Sequence, residues 1–236
     1  MVELEKSHSK GGMQIMANFD YENQYWWEGK EVVVGLDEAG RGPIAGPLVI
    51  GICVFPPFYD NYEINDSKQL TDRKRRQLLE VIKRDAVYYS YEVISKEEVD
   101  ALNIYTATRT GMERAIKRMK MNIDAILTDA MPLHDVNKNI PVEAIIKGDA
   151  KSVTIAAASI IAKVTRDDIM IEYEKQYPGY NFKQNKGYCT PEHMKALKDH
   201  GICDIHRLTY EPVKSMVSKI EQLSLDDLEG KPIEEM

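Results

Sequence analysis

Three short apolar runs rich in β-branched and aromatic residues, Val32 to Leu36, Leu48 to Phe55 and Val87 to Ile94, come before the chain settles into alternating helical and strand patterns. That order is the tightest constraint on the fold. Such runs, bounded by turn signals, read as strands. The first two are joined by a Gly/Pro-rich turn, so they lie side by side, and the third closes an antiparallel meander. Between the second and third stands a basic stretch that reads as a helix over 72–84, with Thr71 as its cap.

After the meander the pattern alternates. Apolar residues from 103 to 121 recur at helical spacing, and Asp124 to Thr128 then reads as a strand. Ile145-Ile146 reads as a fifth, shorter strand. Ser152 to Tyr177 begins rich in Ala and Ile and becomes charged toward its end, as expected of a helix that packs on a sheet and then emerges. Pro178-Gly179 stops it. Thr190-Pro191 starts another helix that Gly201 ends, and a last helix begins near Glu211. These elements predict an α/β fold with a mixed five-stranded sheet flanked by helices and a C-terminal helical region. The expected organisation is an N-terminal arm over 1–28, anchored by Tyr25, Trp26 and Trp27, a single domain over 29–212, and a C-terminal helix and acidic tail over 213–236.

Several classes are disfavoured. The longest apolar stretches fall well short of the roughly 20 residues that cross a bilayer, so no membrane span is expected. Cys53, Cys189 and Cys203 are too few and too scattered for a disulfide framework, and the first residues lack the order of a secretory signal. A cytoplasmic protein fits best, and a monomer is the default.

The net charge of −7 conceals an uneven distribution. Residues 66–84 hold seven basic side chains against three acidic ones, while 221–236 hold six acids against Lys231 alone. The basic run reads either as a face toward phosphates or as the solvated side of an amphipathic helix.

The chemistry is carried by acids that end apolar runs. Asp37 and Glu38 follow the first strand where it enters Gly40-Arg41-Gly42-Pro43, Asp129 follows Ala125 to Thr128, and Asp149 follows Ile145 to Gly148. Neighbouring side chains of a strand point to opposite faces, so Asp37 and Glu38 serve one site only if the pleat breaks there. Carboxylates gathered at one sheet edge repel unless a cation neutralises them, and an all-oxygen donor set favours Mg²⁺ or Mn²⁺. Two such ions fit hydrolysis of a phosphodiester. Each acid taken alone has a second reading, as the cap of a turn or of a helix N-terminus.

The run from Val34 to Pro43, followed by Ala45-Gly46-Pro47, resembles the signature segment of the ribonuclease HII family. The likeness continues through Asn65 to Leu70, Lys147-Gly148-Asp149, Ala157 to Val164, Lys186-Gly187-Tyr188 and His206-Arg207-Leu208, an ordered series of motifs spanning about 30 to 213. It implies a ribonuclease H-like sheet in which Asp37, Glu38, Asp129 and Asp149 hold two metal ions. It also implies that the Gly40-Arg41-Gly42 loop reads 2′-hydroxyls through its backbone, which glycines permit. Tyr188 would stack at the RNA-to-DNA junction, its alternative being a core aromatic. Lys68 and Lys186 would contact phosphates, or else be solvated surface charges. His206 and Arg207 are assigned to structure.

The activity so implied is incision of the RNA strand of RNA/DNA hybrids, and 5′ of single ribonucleotides embedded in DNA, leaving 3′-hydroxyl and 5′-phosphate ends. The role would be ribonucleotide excision repair and primer removal, and whether a replication-clamp-type partner binds is left open by the sequence. Two positions depart from the family pattern: Asn185 stands where many members have His, and Asp168 where Arg is usual. Only about thirty residues precede the signature, which favours this family over the related ribonuclease HIII with its extra N-terminal domain.

Overall fold

The computed structural model describes residues 17–65, 67 and 70–219. The strands are β1 (Val33–Ala39), β2 (Leu48–Val54), β3 (Tyr88–Ile94), β4 (Ala125–Asp129) and β5 (Val142–Ile145). They form one sheet in the order β3-β2-β1-β4-β5. β1 and β3 each pair antiparallel with β2, while β4 pairs parallel with β1 and with β5. The expected meander and mixed sheet are therefore present. The fifth strand begins earlier than expected, and Ile146 lies outside it with its side chain exposed. It is an edge strand in which Glu143 is only partly buried and Ala144 is exposed, which is why an apolar pair alone misplaced it.

The two faces of the sheet are covered by different helices. β1 buries Val34 and Leu36 on one face, where Ile50, Ile52 and Ile126 join Met112, Ala115 and Ile116 of α4 (Ile104–Arg118). Val33, Cys53 and Leu127 face the other way, against α5 (Val153–Gln176). This alternation is the period-two signature of a strand buried on both sides. The approach of α5 is close because β1 and β2 present glycines to it. A Cβ on Gly35 would lie 2.5 Å from the Thr154 carbonyl, and one on Gly51 would lie 2.0 Å from that of Ala158.

Caps fall where the sequence put them. Thr71, Asn103, Ser152 and Thr190 each accept a backbone N–H through the side chain, at the starts of α2 (Asp72–Asp85), α4, α5 and α7 (Pro191–His200). Three short helices were not legible: α1 (Asp20–Trp26) within the arm, α3 (Lys96–Leu102) directly after β3, and the four-residue α6 (Phe182–Asn185). The described part of the arm, from Ala17 on, docks through Tyr25 and Trp26, whereas Trp27 is exposed; the rest of the arm and the acidic tail beyond 219 lie outside the described residues. Glu22 of α1, fully buried, accepts from the Ser152 hydroxyl at 2.6 Å and from Thr154 N–H at 2.9 Å, and so helps cap α5. A third cluster of Ile44, Met170, Tyr180, Phe182, Leu197 and Ile205 joins α6 (Phe182–Asn185) and α7 to the outer end of α5.

The basic helix α2 buries Leu78 and Ile82 and pairs much of its charge locally. Lys74 meets Glu63 at 3.0 Å, Lys83 meets Glu80 at 2.9 Å, and Arg76 meets both Asp72 at 3.0 Å and Asp168 at 2.6 Å. Asp168, one of the two departures from the family pattern, thus holds α2 to α5. Among the described residues no helix is long and apolar enough to cross a membrane.

Candidate active site

β1 and β4 run parallel and pair from Val33–Ala125 to Leu36–Thr128. Beyond that register the two strands carry Asp37 and Asp129, so both carboxylates arrive at the same end of adjacent central strands. Asp149 comes from the short 3-10 turn Gly148–Ala150 that follows β5. Gly148 N–H donates to Asp129 Oδ1 at 2.8 Å, which ties that turn to the end of β4. Asp37, Asp129 and Asp149 each place a carboxylate oxygen within 4.8 Å of the others, with Asp37 and Asp149 buried. Their geometry could hold a metal ion.

Electrostatics agrees with that geometry. The Asp37 carboxyl lies well above the ordinary carboxylate range, first because it is buried and then because Glu38, Asp129 and Asp149 surround it; the Glu38 N–H that donates to its Oδ1 at 2.7 Å offsets part of this. A crowd of acids with little water is costly unless a cation shares it, and an all-carboxylate set is the donor chemistry of a hard divalent ion. The residues present fit such an ion.

Glu38 arrives differently from expectation. The β1–β2 ladder continues unbroken through Asp37–Gly51, Glu38–Ile50 and Ala39–Val49, so the pleat does not break at the acidic pair. Asp37 keeps the face of Gly35 toward α5, and Glu38 lies outside the close trio. It still lines the same cleft, because β1 loses its β4 partner after Leu36, and its Oε1 lies 3.3 Å from Arg41 Nη1.

The cleft, of about 260 Å³, is bordered by Asp37, Glu38 and Asp129, by Gly40-Arg41-Gly42, and by Tyr188. The two glycines of the loop have different reasons to exist. Gly40 has φ +105°, and a Cβ there would fall 2.2 Å from Arg166 Nε, so the protein itself demands it. Around Gly42 the nearest atom to an added Cβ is Tyr188 Cε1 at 3.6 Å, so only a ligand in the cleft could require its absence.

Two buried arginines hold this loop from below. Arg166 donates to the carbonyls of Pro47 (2.9 Å), Ala45 (3.1 Å) and Lys186 (2.9 Å). Arg207 donates to those of Gly46 (3.0 Å), Arg41 (3.2 Å) and Gly40 (2.7 Å), and Tyr210 also donates to the Arg41 carbonyl at 2.9 Å. A trans peptide points its C=O and N–H in opposite directions. Carbonyls of Gly40 and Arg41 drawn inward therefore turn the N–H groups of Arg41 and Gly42 outward.

Other sequence expectations divide. Tyr188 is 45% exposed at the cleft, which removes the core-aromatic alternative. Lys186 does not line the cleft; its Nζ donates to the Lys183 carbonyl at 2.5 Å, and burial lowers its pKa. Lys68 lies outside the described residues. Asn185, the other departure from the family pattern, is buried and structural: its side chain donates to the Tyr180 carbonyl at 2.7 Å and accepts Gly187 N–H at 2.8 Å. Sequence reasoning missed Ser67, Ser159, Lys163 and Arg166, which also line the cleft. Ser67 and Ser159 hydroxyls lie 2.5 Å apart, and Lys163 meets Asp167 at 2.7 Å. The signal was available, since Ser159, Lys163 and Arg166 recur at helical spacing along an otherwise apolar stretch.

The comparisons with known proteins point one way. A family model described as Ribonuclease HII matches residues 34–213. A ribonuclease HII of Endomicrobium trichonymphae is 46% identical over 202 residues, 85% of this chain and 95% of the relative. The fold is similar to the crystal structure of the ribonuclease H2 from Pyrococcus horikoshii OT3, with TM-score 0.67 and 26% identity over 81% of this chain and 99% of that one. It is also similar to the ribonuclease HII in a PCNA complex from Archaeoglobus fulgidus, with TM-score 0.64 and 25% identity over 78% of this chain and 96% of that one.

Proposed function

The chain belongs to the ribonuclease HII family, and from that premise we propose that the cleft beside Asp37 incises the strand 5′ of a ribonucleotide, single ribonucleotides embedded in DNA included. The protein is an endoribonuclease that hydrolyses the RNA strand of RNA/DNA hybrids. The observation that supports the assignment of the cleft is the meeting of Asp37, Asp129 and Asp149 within 4.8 Å beside a loop that turns backbone donors outward.

In this reading Asp37, Glu38, Asp129 and Asp149 hold two divalent ions, Mg²⁺ or Mn²⁺. When bound, the ions supply activation of water and neutralisation of the charge that develops on the leaving oxygen. The chain's own groups do the selection. Outward N–H groups at Arg41 and Gly42 meet the sugar edge, where the 2′-hydroxyl distinguishes RNA from DNA. The bare Cα of Gly42 lets that edge approach. Tyr188 offers an exposed ring on which the nucleotide at the junction stacks. Lys163, held by Asp167, is better placed than Lys186 to meet a phosphate near the acids. Products are a 3′-hydroxyl and a 5′-phosphate, and the setting is ribonucleotide excision repair and primer removal in the cytoplasm by a monomer. A ring clamp is the class of partner suggested by the archaeal relative's complex.

The discriminating experiment offers a duplex with one embedded ribonucleotide and, separately, an all-DNA junction, each with Mg²⁺ or Mn²⁺. Incision 5′ of the ribonucleotide, with the junction left intact, is the expected result. Efficient cutting of the junction with no incision at the ribonucleotide would assign the cleft to a different nuclease activity.

A further inference from the structure

Behind Tyr188 runs a line of buried polar groups that the reaction does not use. His193 of α7 and His206 are both without solvent exposure, and their Nε2 atoms lie 3.0 Å apart. His193 Nδ1 is 2.9 Å from the Tyr188 carbonyl oxygen, and Cys203 N–H donates to His206 Nδ1 at 2.9 Å. These contacts fix where the protons are. A carbonyl oxygen only accepts, so His193 carries its proton on Nδ1, and the neutral ring presents a bare Nε2. His206 must then donate from Nε2, which leaves its Nδ1 bare to accept from Cys203. The Cys203 carbonyl also lies 3.1 Å from His206 Nδ1, but it accepts the His206 backbone N–H at 3.0 Å, and a proton on Nδ1 would leave two bare Nε2 atoms facing each other and the Cys203 N–H without an acceptor; one arrangement of two protons therefore serves the whole line.

The surroundings keep it that way. Tyr180 and Phe182 pack their rings against both imidazoles. Burial keeps both rings neutral by lowering their pKa values. The Tyr188 ring, by contrast, is 45% exposed, so its place beside Gly42 is set largely by its backbone. The peptide before it is held at Gly187, whose N–H donates to Asn185 Oδ1 at 2.8 Å and whose carbonyl accepts Ile44 N–H at 2.9 Å. The peptide after it is held through its carbonyl by His193 and by Thr190 N–H at 2.8 Å.

Resting on the reading of Tyr188 as the residue that stacks on substrate, we infer that His193 and His206 are a positioning pair, joined in a single proton arrangement, that fixes the Tyr188 carbonyl and so the stand of its ring over the cleft. The pair acts through Tyr188 and touches no substrate. Its loss should weaken substrate binding more than it slows the bond-breaking step.

Two measurements on the full chain test this. Long-range ¹H–¹⁵N NMR at neutral pH should find His193 protonated on Nδ1 and His206 on Nε2; the opposite tautomer in either ring, or a doubly protonated ring, overturns the proposal. His206→Gln keeps an N–H donor near the position of Nε2, whereas His206→Leu keeps the volume without the donor. On a duplex with one ribonucleotide, His206→Leu should raise KM about tenfold with kcat changed about twofold or less, and His206→Gln should stay near wild type. The ¹³C shift of the Tyr188 carbonyl should move in the Leu variant and not in the Gln variant, a readout that a globally unfolded variant could not mimic. His206→Leu should add nothing to Tyr188→Ala when the two are combined. A wild-type KM in His206→Leu, or additivity with Tyr188→Ala, overturns the proposal. Should Tyr188→Ala alone keep the wild-type KM, the substrate role of Tyr188 is what fails, and the tautomers and the carbonyl shift still decide whether the pair fixes this peptide.

Discussion

Arg207 donates from Nη2 to the carbonyl oxygen of Gly40 at 2.7 Å while its own side chain is withdrawn from solvent. A planar guanidinium can serve three carbonyls at once, and Arg207 does so at Gly40, Arg41 and Gly46. An ammonium is a point charge that cannot match that fork. Arg207→Lys should therefore keep the charge, lose about 2–3 kcal/mol of stability, and lower incision at least about tenfold. Urea melts and single-turnover incision check this, and activity equal to wild type would separate the loop's conformation from the arginine.

The crowded acids give a prediction about stability without metal. Asp37 is pushed up by burial and then by Glu38 and Asp129, so its folded pKa exceeds its unfolded one. The sign for such a carboxyl is that it favours the fold at low pH and weakens it as pH rises above the unfolded value. Asp37→Asn should then melt at or above the wild-type temperature in chelator at neutral pH, by up to about 2–4 °C. Added Mn²⁺ should raise the wild-type melting temperature and leave the variant's nearly unchanged. Differential scanning fluorimetry with and without metal reads both.

Glycines at two positions should respond oppositely. Gly51→Ala puts a Cβ 2.0 Å from the Ala158 carbonyl of α5 and should cost about 1–3 kcal/mol or more as the helix is forced off the sheet. Gly42→Ala meets nothing closer than 3.6 Å, so it should melt like wild type yet lose incision about tenfold or more by blocking the sugar edge. A Gly42→Ala protein with full activity would remove the backbone from recognition.

Much of this was legible beforehand, and the limits were physical. Strands β1, β2 and β4 declared themselves because they are buried on both faces and are almost wholly apolar, until an acid follows in β1 and β4 and a proline pair follows β2. α1 and α3 span seven residues each, too short for helical periodicity to stand out. Asp37 and Asp129 were legible from strand ends and Asp149 from the apolar run before it, although it sits in the turn after β5, but the place of Glu38 was not legible. Its access depends on where β1 loses its β4 partner, which is a matter of register between distant segments. Arg207 was read as structural without its partners and Arg166 was missed, since donating to carbonyls of the Gly40 to Pro47 loop is a contact between parts of the chain more than a hundred residues apart.

The buried imidazoles predict an acid response. His206 is lowered from 6.5 to about 4, first by burial and also by His193 and Lys96, and His193 is lowered too. Between those two values the unfolded chain binds a proton that the folded chain refuses, so stability is complete above about 6.5 and falls with decreasing pH, by up to about 1.4 kcal/mol per unit for His206. Urea midpoints at pH 7.5 and 5 should therefore diverge less in His206→Gln than in wild type. Equal slopes would show that His206 titrates alike in both states.

The most direct test is incision of a duplex carrying one ribonucleotide, by wild type and Asp37→Asn side by side, with Mn²⁺ and with chelator. Wild type should cut 5′ of the ribonucleotide only with metal, and Asp37→Asn should bind the duplex within a few-fold of wild type while cutting it at least about a thousandfold more slowly. Undiminished cutting by Asp37→Asn, or metal-independent cutting by wild type, would contradict a cleft built on carboxylates sharing divalent ions.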